Sequence, residues 1–152
     1  ALARISPIQG RLTSLQRAAI VRLAEELGWK LHDFGVVATA PAAGDLAIRL
    51  SDLKIAIHSL TESSSHQAKL AIEQIAPSVT VDCNADHVGN ARLRALAENA
   101  DLFVLTSLSA KHAATHFIRE HRGDRSLLYA QGRGFSSILR AIEDHVSAQS
   151  GV

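Results

Sequence analysis

Residues 101–140 alternate between short apolar runs and helical patterns, and this alternation restricts the fold more than any other feature of the sequence. An apolar run at residues 102–106 precedes a helical pattern that ends at Gly123, and a second apolar run at 127–130 precedes another. Short apolar runs bounded by turn residues indicate strands, and strands that alternate with helices favour a parallel sheet. The stretch therefore predicts two consecutive βα units.

The same alternation occurs earlier in the chain, which extends the prediction to four strands. These lie near residues 55–59, 79–82, 102–106 and 127–130, and each precedes a stretch with apolar residues at helical spacing. We therefore predict an α/β fold, a Rossmann-like three-layer sandwich with a parallel sheet of at least four strands. Residues 54–148 form this core in our interpretation, and residues 149–152 form a tail.

The first 53 residues have a different pattern, and we interpret them as an arm, a helix and a short β-hairpin. The helix begins at Thr13, where Gln16 three residues later fits a capping box, and Gly28 is placed to end it. Residues 31–38 and the alternating residues 46–50 favour two short strands on either side of a loop at 40–44.

Composition restricts the classes of function. With 152 residues, 47% of them hydrophobic, the chain can form a core, and a net charge of +1 gives no electrostatic argument for nucleic acid. It contains no apolar run of about 20 residues that could cross a membrane, and its N-terminus has no signal pattern. One cysteine, Cys83, cannot form an internal disulfide, which fits a cytoplasmic location. Because the chain starts at Ala1 and contains no methionine, we expect a piece of a larger protein with other domains.

The turn Gly132-Arg133-Gly134 is the first candidate ligand-binding element, because it precedes a helix that opens at Ser136 and Ser137. Glycines allow positive φ angles and close backbone approach, and a helix N-terminus offers free N–H groups to an anion. The alternative is a tight βα turn followed by an N-cap, with no ligand.

The second candidate is the segment with Ser109, Lys111 and His112, which follows the third predicted strand. Ser109 is suited to cap a helix, Lys111 to bind a phosphate, and His112 to serve as general acid or base. Each also has an ordinary structural role available. His112 and His116 have a spacing that can bind zinc, but without the Glu of a metalloprotease helix the pattern is nonspecific, and we predict no metal site.

Several of these residues occur in motifs that resemble a group of bacterial Rossmann-like domains of unknown function. The motifs are the helix start at residues 63–66, the segment ADLFVLTSLSAKHAATHFI and the segment YAQGRGFSSILRAI, within residues 54–145. The matching positions are Thr106, Ser109 with His112, and Gly134 with Ser136 and Ser137. The resemblance implies a module of a larger bacterial protein, with some members tied to defence against phage, and it implies no particular reaction.

Three functions remain open on the sequence alone. The first is a regulatory module that binds a nucleotide or another small phosphate-bearing molecule at the carboxyl edge of the sheet, where parallel sheets usually bind ligands. The second is a hydrolase or nuclease-like enzyme that uses His112, and the third is an interaction or oligomerisation domain. A shared cavity lined by the loops after the strands would favour the first function. For this ligand-binding module, the predicted ligand-binding residues are Ser65, His66, Thr106, Ser109, Lys111, His112, Gly132, Arg133, Gly134, Ser136 and Ser137.

Overall fold

Four short strands form one sheet in the computed structural model, which describes residues 14–28, 41–106 and 112–149. The pairings β1–β2, β1–β3 and β3–β4 are all parallel, which confirms the predicted sheet. The strands are β1 (Lys54–His58), β2 (Thr80–Asn84), β3 (Leu102–Thr106) and β4 (Leu127–Ala130).

The order of the strands in the sheet is β2-β1-β3-β4. After β1 the chain first adds a strand on one side, and then crosses to the other side of β1 to add β3 and β4. The point between β1 and β3 where this direction reverses is a topological switch point. In doubly wound folds the crevice at the carboxyl end of such a point is the usual place for a ligand.

Helices cover both faces of the sheet and complete the predicted three-layer sandwich. The helices are α1 (Ser14–Glu26), α2 (Pro41–Leu50), α3 (Glu62–Ile75), α4 (Ala91–Asn99), α5 (His112–Arg122) and α6 (Phe135–Ala148). One core cluster joins Ile55, Ile57 and Val104 of the sheet to α1, α2, α3 and α6, and the other joins Phe103 and Leu105 to α4 and α5. Within the described ranges, no helix is both long and apolar enough to cross a membrane.

The predicted β-hairpin is wrong at its second strand, because residues 46–50 belong to α2. The five residues alternate as a strand would, but Leu46 and Leu50 are also four apart and lie on one face of a helix, where both are buried. Ile48 is 75% exposed, and Arg49 forms a 2.8 Å salt bridge with Asp45 one turn earlier. The first predicted strand, residues 31–38, lies outside the described residues.

Arg122 attaches the end of α5 to the end of α4. Its side chain is 2% exposed, and Nη1 donates hydrogen bonds to the carbonyl oxygens of Ala97 at 3.0 Å and Ala100 at 2.6 Å. Nη2 donates to the carbonyl oxygens of Asp101 and Ser126. The guanidinium therefore satisfies carbonyl groups that α4 leaves open at its C-terminus, and it holds α5 against the sheet.

Candidate functional site

The carboxyl ends of the strands bring three buried polar residues to one edge of the sheet. His58 ends β1, Asn84 ends β2 and Thr106 ends β3, and His58 and Thr106 are fully buried. His58 is paired in register with Asn84 on one side and with Leu105 on the other. Since burial of a polar side chain is costly unless its groups are hydrogen-bonded, these positions require partners.

His58 belongs to a hydrogen-bond network that continues into the loop after β2. Its Nδ1 lies 2.9 Å from Oδ1 of Asn84, and Nδ2 of Asn84 donates to Oδ2 of Asp86 at 2.6 Å. Asn90, the N-cap of α4, donates to the same carboxylate oxygen at 2.8 Å. The network therefore connects the end of β1, the end of β2 and the start of α4.

This network changes the protonation equilibria of two of its members. Burial lowers the pKa of His58 from its ordinary value of 6.5, although the hydrogen bond to Asn84 and the charge of Asp86 act in the opposite direction. Hydrogen bonds from Asn90 and Asn84 lower the pKa of Asp86. At neutral pH the histidine is therefore neutral and the carboxylate is charged.

A cavity of about 500 Å³ lies beside this network, between the first turn of α3 and the loop after β2. Its lining combines anionic, cationic and neutral polar groups: Glu62, Ser63, Ser65, His66, Cys83, Asn84, Ala85, Asp86 and Arg92. The hydroxyl of Ser65 is occupied, since it donates to the carbonyl oxygen of Glu62 at 2.9 Å. Burial raises the pKa of the Cys83 thiol, which disfavours the thiolate that a cysteine nucleophile requires.

The turn after β4 has a different backbone from the one predicted. Positive φ angles among the described glycines occur at Gly28 and Gly123, and Gly134 has a φ of −80°, so the positive-φ interpretation of this turn is wrong. The helix also begins one residue before the predicted serines, at Phe135, and its N-cap is Gly134. A Cβ atom at Gly132 would lie 2.5 Å from Oγ of Ser137, so a larger residue there would require this hydroxyl to rotate away.

A second cavity, of about 650 Å³, lies along β4 and α6. Its lining residues are Gln16, Leu127, Leu128, Tyr129, Gln131, Ser136, Ser137, Arg140, Ala141 and Asp144. Ser136 and Ser137 therefore line this cavity, whereas Ser65 and His66 line the cavity beside β2. The two groups of predicted ligand-binding residues lie at separate cavities.

Thr106, Arg133 and Gly134 line neither of these cavities. Thr106 is buried at the end of β3, and its Oγ1 donates to the carbonyl oxygen of His58 at 3.4 Å, while Arg133 and Gly134 are exposed. Ser109 and Lys111 lie outside the described residues, and His112 is described only as the first residue of α5. Among the side chains that the structure describes, no group of three or more histidine, cysteine or acidic residues is placed to hold a metal.

Sequence reasoning missed the buried pair of His58 and Asn84. The histidines that the sequence patterns favoured, His66 and His112, lie at predicted helix starts instead. A usable signal was present, because His58 closes an otherwise apolar strand and Asn84 occupies the same place in the next one. Polar residues at the carboxyl ends of adjacent parallel strands are placed to face a common ligand.

The sheet order and the polar residues at its carboxyl edge define a Rossmann-like α/β domain. The sequence model of the DpdD-like family matches residues 1–141, and the chain therefore belongs to the DpdD-like family. This match includes residues 1–53, which the resemblance found in the sequence motifs did not cover. Searches of the curated proteins and of the solved structures each find no match.

Proposed function

We propose that the chain is a regulatory module that binds a nucleotide or another small phosphate-bearing molecule at the carboxyl edge of the sheet. The observation that carries this proposal is the switch point between β1 and β3, with buried polar residues at the ends of β1, β2 and β3. In doubly wound folds, ligands bind in the crevice at this position. The resemblance to modules of phage-defence proteins supports a role in a larger bacterial defence protein.

The cavity beside β2 supplies groups suited to an anion, alongside the carboxylates of Glu62 and Asp86, the second of which accepts hydrogen bonds from Asn84 and Asn90. It includes the first turn of α3, a helix of 14 residues whose N-cap, Thr61, does not cap the helix with its side chain. Helix N-termini carry unpaired N–H groups and a partial positive charge. His66 and Arg92 line the same cavity and add donors, and Arg92 is exposed, with Nη2 donating to the carbonyl oxygen of Cys83 at 3.3 Å.

Two predicted elements complete the proposed site. The segment with Ser109, Lys111 and His112 follows β3 in the sequence, and β3 borders the switch point. In our proposal Lys111 contributes a positive charge, and the turn at residues 132–137 contacts a distal part of the ligand.

A thermal-shift screen against nucleotides, cyclic nucleotides and inorganic tripolyphosphate tests the proposal. A ligand that binds only the folded state raises the melting temperature. At a ligand concentration of 100 times Kd, it adds about 2.7 kcal/mol to the free energy of unfolding. We expect Arg92→Ala to reduce the shift and Arg94→Ala to leave it unchanged. Arg94 is the matched control, since it lies on the same helix but pairs with Glu98 at 2.7 Å. The absence of a shift with every probe would contradict the proposal.

The open edge of β4 favours a second candidate function, the addition of a strand from a protein partner. In the part of the chain that the structure describes, β4 pairs with β3 alone, and Tyr129 on it is 43% exposed. Unpaired edge groups beside half-buried apolar residues can template another strand. Light scattering would test self-association: we expect a dimer for the wild type and a monomer for Tyr129→Lys. A wild-type monomer would exclude pairing between copies of this chain.

A further inference from the structure

One nitrogen of the fully buried His58 side chain has no hydrogen-bond partner within the described part of the chain. Nδ1 faces Asn84, whereas Nε2 has none among the residues that the structure describes. Leaving a buried polar atom unpaired is unfavourable, and such atoms are rare in folded proteins. This nitrogen belongs to the last residue of β1, at the carboxyl edge where we place the proposed ligand site.

The amide of Asn84 determines which nitrogen of His58 carries the hydrogen. The Asp86 backbone N–H donates to Oδ1 of Asn84 at 3.0 Å, and Nδ2 of Asn84 donates to the Asp86 carboxylate. A backbone N–H can only donate and a carboxylate can only accept, so the amide has a single consistent orientation. Oδ1, an acceptor, therefore faces Nδ1 of His58, and Nδ1 must be the donor.

The other nitrogen is then an acceptor. In a neutral imidazole one nitrogen carries the hydrogen and the other carries a lone pair. Burial lowers the pKa of His58, which keeps the ring neutral at pH 7. Asp86 and His87 are the charged or titratable groups that act on it, in opposite directions. Nε2 therefore holds a buried lone pair that a donor can satisfy.

The geometry of the ring directs this lone pair toward the switch point. The two nitrogens of an imidazole point in widely diverging directions, and Nδ1 points to Asn84 at the end of β2. Nε2 therefore points away from β2, toward the side of the sheet on which β1 pairs with β3 through His58 and Leu105. Nε2 is enclosed and His58 lines neither of the two cavities, so a donor of a bound molecule would meet it only at the end of β1, beside the switch point where the fold class binds ligands.

We propose that His58 determines the specificity of this site by accepting, at Nε2, a hydrogen bond from a hydroxyl or amino group of the bound molecule. The proposal rests on the proposed function and adds the chemistry of recognition to it. A nucleotide carries such donors on its ribose and on its base, whereas a bare polyphosphate carries none. A site built around a buried acceptor rejects analogues that lack the donor, because the acceptor then stays unpaired.

Two substitutions of His58 separate the roles of its nitrogens. His58→Asn keeps a polar group near the position of Nδ1 and removes Nε2, whereas His58→Gln keeps a polar group near the position of Nε2. We expect His58→Asn to weaken ATP binding by about tenfold, the effect of one hydrogen bond of roughly 1.4 kcal/mol, and His58→Gln to weaken it less. Binding of inorganic tripolyphosphate should be equal in all three proteins. His145→Asn, on α6, is the control.

NMR of the wild-type protein with ¹⁵N-labelled histidine tests the proposal even where a variant fails to fold. We expect His58 to carry its hydrogen on Nδ1 at pH 7, and its Nε2 resonance to shift with ATP but not with tripolyphosphate. Hydrogen on Nε2, an Nε2 resonance that ATP leaves unchanged, or equal ATP affinity in wild type and His58→Asn would overturn the proposal. Tripolyphosphate binding combined with any of these results would leave the proposed anion site intact. If neither ATP nor tripolyphosphate binds, both the proposed function and the proposed role of His58 are contradicted.

Discussion

At the scale of single residues, this chain buries polar side chains where strands end and where helices meet. His58 and Arg122 are the clearest cases, since each is almost completely buried and each has one nitrogen without a partner among the described residues. Their environments differ in kind. Arg122 is surrounded by backbone carbonyls and has a structural role, whereas Nε2 of His58 lies at the edge where the fold class binds ligands.

The lowered pKa of His58 predicts how stability depends on pH. Its pKa is lower in the folded state than in the unfolded chain, so the unfolded chain binds the additional proton as the pH falls through about 6.5. The free energy of unfolding should therefore decrease from pH 7.5 to pH 5, by at most about 1.4 kcal/mol per pH unit from this group. The pKa of Asp86 is also lower in the folded state, and its contribution to the free energy of unfolding is lost at a more acidic pH than that of His58.

Urea unfolding of the wild type and of His58→Gln at both pH values checks this prediction. We expect the wild type to lose more stability than the variant as the pH falls. The same loss in both proteins would assign the pH dependence to other groups.

Arg122 predicts a large effect of a substitution on stability. Arg122→Met would remove the donors to several buried carbonyl groups, and we expect a loss of about 3 kcal/mol or more in the free energy of unfolding. Arg119→Met, on the exposed side of the same helix, should change it by less than about 0.5 kcal/mol. Chemical denaturation measures both values, and similar losses would argue against the structural role of Arg122.

At the scale of helices and strands, the sequence was informative where apolar residues had one clear period. The four strands were predicted within two residues of their observed bounds, because each is an apolar run between turn residues. Gly28 and Gly123 were predicted to end helices, and both have the positive φ angle that such ends require. The prediction of a strand at residues 46–50 was wrong, because five residues that are apolar at positions 46, 48 and 50 fit the period of a strand as well as that of a helix.

The helical assignment of residues 41–50 predicts opposite effects at two neighbouring apolar positions. Leu50 is fully buried, so Leu50→Ala should cost about 2–5 kcal/mol of stability. Ile48 is exposed, so Ile48→Ala should have an effect within about 0.5 kcal/mol. A strand would place both residues on one face, and equal costs in denaturant unfolding would therefore favour the hairpin.

Two glycines in the loops at the carboxyl edge predict different losses of stability when each is replaced by alanine. A Cβ atom at Gly89 would lie 2.3 Å from Cδ2 of Phe117, so Gly89→Ala should displace α5 and cost about 1–3 kcal/mol. At Gly134 the nearest atom is Oγ of Ser136 at 3.9 Å and φ is −80°, so Gly134→Ala meets no clash. Because Gly134 is the N-cap of α6, where alanine is less favourable than glycine, this loss offsets the gain from a less flexible unfolded chain, and the net change should stay within about 0.5 kcal/mol. Melting temperatures of the two variants check the contrast.

At the scale of the whole molecule, the order of the strands determines which predicted residues can meet. Sequence patterns placed the candidate residues at the carboxyl edge, but they carry no information on which strands are neighbours. With the order β2-β1-β3-β4, the start of α3 lies beside β2 and the turn after β4 lies at the far edge. The pairing of His58 with Asn84 likewise depends on the β1–β2 register, which no local pattern encodes.

The central claim is that a phosphate-bearing molecule binds at the carboxyl edge, and an NMR titration of the ¹⁵N-labelled chain with ATP tests it most directly. We predict saturable shifts of the backbone amides at residues 59–66 and 84–92, around the ends of β1 and β2, with little change along α2. Shifts confined to β4 and α6, or no saturable shift at millimolar ATP, would contradict the claim.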